Sequence, residues 1–81
     1  MFTAIIIKEI ENEKNGESYA VGSRVRVLLK SGSEYIGTID DISPDSFLLL
    51  VDSEEKIIEL DSIDKMRPAL LGETFYNQFE F

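Results

Sequence analysis

Arg24-Val-Arg-Val-Leu-Leu-Lys30-Ser-Gly-Ser-Glu34-Tyr-Ile-Gly-Thr-Ile-Asp40 is the stretch on which the reading of the fold turns. Val25, Val27 and Leu29 alternate with Arg24, Arg26 and Leu28, the period of a strand with one buried face. Ser31-Gly32-Ser33 reads as a turn and residues 34–40 as a second strand. Tyr35, Gly37 and Ile39 share one face of it, Ile36 and Thr38 the other. A glycine in mid-strand marks a bend or a close approach of another backbone, and a small barrel needs such a bend to close.

Working outward, residues 41–46 form a loop in which Pro44 and Asp45 fit a turn. Phe47-Leu-Leu-Leu-Val51 is apolar without alternation, which predicts a strand buried on both sides. Residues 52–55 read as a tight turn, 56–60 as a strand, Asp61-Ser62 as a break, and 63–67 as a last short strand ended by Pro68. Upstream, residues 3–10 are β-branched and apolar, and periodicity leaves a strand and the buried face of a helix both open. Residues 11–17 are polar, with Asn15-Gly16 as a turn signal in an exposed loop or wide hairpin. The organisation expected is an N-terminal segment over 1–18, a barrel core over 19–68, and a C-terminal tail over 69–81 that carries Phe75, Tyr76, Phe79 and Phe81.

With 81 residues there is room for one domain. A chain of this size buries only about 60% of its unfolded surface, so it is marginal alone. It has neither cysteine nor histidine, so no disulfide or thiolate zinc site braces it, and unstapled small domains often gain stability by oligomerising. Lysine and arginine number 8 against 16 aspartate and glutamate, a net charge of −8, which argues against a large nucleic-acid footprint and leaves room for a small local one. Residues 1–10 are too short and too acidic nearby to read as a signal peptide, and no apolar run approaches membrane-spanning length. A cytoplasmic protein without membrane or cofactor is expected.

The spacing Val25-x-Val27-x-Leu29-Lys30-x-Gly32-x-x-Tyr35-x-Gly37-x-Ile39, continued by Leu48 and Leu50 and closed by Ile63 and Met66, resembles the Sm/LSm family over residues 22–67. The resemblance implies an all-β fold: a small five-stranded, bent, antiparallel SH3-like (Sm-like) barrel. It also implies assembly into a homo-oligomeric ring and a non-enzymatic role in binding or processing RNA or single-stranded DNA. The family's base-reading loop positions hold Ser43, Asp45 and Phe47 here, and its second-motif Arg-Gly falls on Glu59-Leu60. A carboxylate therefore replaces the family's arginine.

A physical argument for assembly stands beside the resemblance. A barrel interior accounts for one face of residues 47–51, and a long apolar edge strand invites pairing with another copy. The interface expected comprises Phe47, Leu48, Leu49, Leu50 and Val51 with Ile63 and Met66; head-to-tail contacts of that kind can close into a ring. The plainer alternative is that residues 69–81 fold back over the strand. Nucleic-acid candidates are Arg24, Arg26, Ser43, Asp45, Phe47, Asp61, Lys65 and Arg67, with Lys30 near the first two and Tyr35 as a second aromatic able to stack. The plainer reading pairs the arginines with acids across the sheet and buries both aromatics.

No catalytic residue is expected. Asp40-Asp41 and Glu54-Glu55 are adjacent pairs; adjacent strand residues point to opposite faces, so neither pair converges on one reacting atom, and Glu54-Glu55 is expected solvated in the 52–55 turn. Asp40, Asp41 and Asp45 offer hard oxygen ligands, but at the spacing of no known cation loop, and no metal is expected. The competing class is a protein-interaction or structural oligomer without nucleic acid.

Overall fold

The structure, a computed structural model, describes residues 2–5 and 9–70. Its strands are β1 (Phe2–Ile5), β2 (Glu9–Asn12), β3 (Glu17–Ala20), β4 (Arg24–Leu29), β5 (Glu34–Ile42), β6 (Ser46–Val51), β7 (Glu54–Glu59) and β8 (Ile63–Pro68). A single 3₁₀ turn, Leu60–Ser62, stands at the break expected between the last two. All pairing is antiparallel, in a three-stranded sheet ordered β1-β2-β3 and a five-stranded sheet ordered β7-β6-β5-β4-β8. Among the described residues no helix is long and apolar enough to cross a membrane.

The all-β expectation holds, and the closed barrel does not. The five-stranded sheet ends at β7 and β8, which do not pair with each other. Water is kept from its inner face by the second sheet instead. Phe2, Ile10 and Tyr19 from β1, β2 and β3 enter one apolar cluster with Val25, Val27, Ile39, Phe47, Leu49, Ile58, Ile63 and Met66. Because the N-terminal strands supply this cover, the sheet need not close on itself to exclude water. The expected boundary between residues 18 and 19 falls inside β3, whose Tyr19 is 3% exposed and part of the shared core. Of residues 3–10, those numbered 6–8 lie outside the described residues, as do residues 71–81 of the aromatic tail.

Local chemistry explains the elements. The hairpin between β2 and β3 turns through Gly16 at φ +77°, with Asn15 Oδ1 accepting from the Glu17 N–H at 2.9 Å. The mid-strand glycine is there for close approach: a Cβ on Gly37 would overlap the Leu50 carbonyl oxygen of β6. Beyond it β5 carries a bulge between Ile39 and Asp41, which bends the strand. β6 and β7 join through Asp52 and Ser53 at φ +49° and +68°, the backbone of a two-residue type I′ turn.

Candidate functional site

β6 is an interior strand, which removes the premise of an exposed apolar edge at residues 47–51. Its whole length pairs with β7 on one side, and Phe47–Leu50 pair with β5 on the other. Phe47 and Leu49 are 1% and 0% exposed in the chain's own core, while Leu48 and Val51 are half-buried. Only the outward part of the strand reaches solvent, where Leu50 is 38% exposed and its β7 neighbour Ile57 is 69% exposed. Ile63 and Met66 are buried as well, beneath the N-terminal sheet.

The edges of the five-stranded sheet are β7 and β8, and they differ. Ala69 N–H donates to the Arg24 carbonyl at 3.0 Å, which sets the phase of the β4–β8 ladder. Arg26–Arg67 and Leu28–Lys65 are then the bonded pairs, and the backbone of Met66 and Pro68 faces away from β4. That outward edge is blunted. Pro68 has no N–H to offer, and its carbonyl accepts from Arg67 Nη1 at 3.0 Å. The Tyr19 hydroxyl stands 3.3 Å in front of the Met66 carbonyl and 2.6 Å from Glu17 Oε2. Its one proton serves the nearer carboxylate best, and the ring occupies the approach to the carbonyl either way. Burial first, and the Glu17 carboxylate second, push the Tyr19 phenol well above its ordinary pKa.

On β7 the phase follows from the Val51–Glu54 closing pair and from the Leu60 N–H, which donates to the Asp45 carbonyl at 2.9 Å. Glu55, Ile57 and Glu59 therefore turn their N–H and C=O groups away from β6. Among the described strands none pairs with them there. Ser62 Oγ donates to the Glu59 carbonyl at 2.7 Å, leaving both groups of Glu55 and Ile57 and the N–H of Glu59 for a further strand.

A cleft of about 630 Å³ opens between the β2–β3 hairpin, β8 and the 3₁₀ turn. Lys14, Lys30, Lys65 and Arg67 line it, four of the chain's eight cationic residues, together with Glu17, Asp61 and Asp64, three of its sixteen acidic ones. Its floor is apolar, from Phe2, Leu60, Ile63 and Met66. Of the nucleic-acid candidates it gathers Asp61, Lys65 and Arg67. Lys14 and Asn12 were missed because they belong to the N-terminal hairpin, whose position over β8 has no local signal in sequence.

The other candidates lie elsewhere. Arg26 is buried at 8% exposure, with its Nε and Nη2 both on Glu34 Oε2 at 3.0 and 2.7 Å, so the cross-strand pairing holds and the solvated face does not. Arg24 pairs across from Thr38 on the same outer face. Ser43 and Asp45 are exposed in the loop between β5 and β6, and Phe47 is core. Tyr35 is half-buried, with Lys56 Nζ 5.5 Å from its ring centre. Among the described residues no group of three or more acidic side chains converges as a metal site would require, and Asp40, Asp41 and Asp45 stay apart in this sense. No family model, curated protein or solved structure matches this chain.

Proposed function

We propose that this chain is a non-enzymatic protein-interaction module that takes an extended segment of another chain onto β7 by strand addition. The observation that carries the reading is the row of backbone groups that no described strand pairs, both groups of Glu55 and Ile57 and the N–H of Glu59, beside an exposed Ile57 and Leu50. Main-chain bonds supply affinity in such contacts and alternate side chains supply selectivity. The Sm-like ring belongs to the same class of contact, with β7 of one copy meeting β8 of the next. Its weaker half is β8, where Tyr19 and Pro68 take up the edge.

Amide hydrogen exchange of the full chain, alone and with candidate segments, tests the reading. Protection gained at Glu55 and Ile57 on binding is the expected result. Ile57→Pro removes the outward N–H at an edge position that tolerates proline, so the fold should survive and binding should be lost. Unchanged binding by that variant would sink the reading. Sedimentation tells whether the partner strand comes from a second copy.

A second reading, a short single-stranded nucleic acid held in the cleft, is favoured by the collection of Lys14, Lys30, Lys65 and Arg67 there. Titration of a fluorescent oligonucleotide across salt tests it: a linear fall of affinity with the logarithm of salt, reduced by Lys65→Glu, supports it, and no binding at low salt removes it.

A further inference from the structure

We infer that the segment β7 accepts comes from a different protein and has the form (Lys/Arg)-x-(Val/Ile/Leu)-x-(Lys/Arg). This rests on the strand-addition reading and adds the identity of the partner.

Side chains of residues two apart share a face of a strand. Glu55, Ile57 and Glu59 therefore stand in a row on the outer face of the sheet, an apolar centre between two carboxylates. Ile57 lies against half-buried Leu48, and Glu55 lies opposite Leu50, so the centre continues into an apolar shelf on β6. The one cation of β7 is committed to the other face: Lys56 Nζ lies over the Tyr35 ring and 3.9 Å from Glu54 Oε2. A strand added antiparallel to β7 sets three of its side chains opposite this row. Charges of opposite sign facing each other across strands stabilise, and like charges destabilise.

The same row works against a second β7 and against the acidic tail, and the basic strand of this chain is blocked at its edge. Two β7 edges paired antiparallel about Ile57 would set Glu55 against Glu59 twice. β8 has the right charges in Lys65 and Arg67, but its outward edge is occupied at Met66 and Pro68. Residues 71–81 contain Glu73 and Glu80 and no cation. A net charge of −8 favours encounter with a basic segment in any case.

Fluorescence anisotropy with a labelled, end-capped peptide Thr-Lys-Thr-Val-Thr-Lys-Thr, and with its counterpart carrying glutamate in place of both lysines, tests the inference on the full chain. The lysine peptide should bind at least about fourfold tighter, since two attractive cross-strand pairs stand in place of two repulsive ones. In the double variant Glu55→Lys, Glu59→Lys the preference should reverse, and circular dichroism shows that the variant is folded. Reversal is the result that a merely structural role of the glutamates would not give. Equal affinity for both peptides, with Glu55 and Ile57 amides protected by each, overturns the partner assignment and leaves strand addition standing. No protection by either peptide overturns both, and a self-assembled multimer that excludes both peptides overturns the assignment to a different protein.

Discussion

The two ends of the five-stranded sheet solve the same problem in different ways. Both β7 and β8 are edge strands, and an edge is a template for unwanted pairing. β8 is guarded by structure: proline at its end, a tyrosine ring before its carbonyl, and a second sheet across its inner face. Among the described residues β7 is guarded only by charge, through Glu54, Glu55 and Glu59. A steric guard excludes every partner, whereas an electrostatic guard excludes acidic strands and welcomes basic ones. The edge left under electrostatic control is therefore the one able to discriminate.

The contrast can be broken most severely at Tyr19. Tyr19→Ala removes a large side chain that is 3% exposed, and should cost about 3–5 kcal/mol in urea unfolding. It also uncovers the Met66 carbonyl, so the variant should self-associate through β8 at concentrations where the parent does not. A variant that loses stability but shows no change in association would mean that β8 is guarded by something other than Tyr19.

Tyr19→Phe keeps the ring and removes the hydroxyl. Loss of its hydrogen bonding should cost about 1 kcal/mol. The variant also tests the pH response. The folded phenol titrates above its unfolded value, so its contribution is intact below about pH 10 and is lost as pH rises beyond that. The melting temperature of the parent should fall more steeply than that of Tyr19→Phe above about pH 10; parallel curves would place the hydroxyl in water.

The smallest effect is expected at the turn that presents β7. Ser53 holds φ +68°, a left-handed backbone that costs a non-glycine residue about 1–2 kcal/mol. Ser53→Gly relieves this but adds about 0.5–1 kcal/mol of unfolded-state freedom. A net gain of about 0.5 kcal/mol in thermal or urea unfolding is expected. A loss would show that the serine conformation is supported by contacts the turn geometry does not reveal.

Much of the fold was legible in residues 24–68. The alternation of Val25 and Val27, the turn at Gly32 and the break near Ser62 all fall where the structure has them. Gly37 reads correctly as a point of close approach. The candidate site was far less legible. Arg26, a nucleic-acid candidate by sequence, is buried in an ion pair with Glu34, because which of two faces is covered depends on what packs there. The uninterrupted grease of Phe47–Val51 predicts an apolar edge, and the structure places it on an interior strand. A strand apolar on both sides says that both sides are attractive to apolar neighbours; it does not say on which side of it other strands run.

By itself the sequence determined most strands and turns of the larger sheet, since alternation, glycine placement and proline restriction act within a few residues; it set Asp41, Ile42, Glu54 and Glu55 in turns where the structure has strand. Strand order was decided by tertiary structure, and with it the identity of the two edges. So was the placement of the N-terminal hairpin, which leaves the larger sheet open and roofs one of its two edges. Those features depend on pairings between residues as distant as Tyr19 and Met66, whose free energy belongs to the assembled core and to no local stretch of chain.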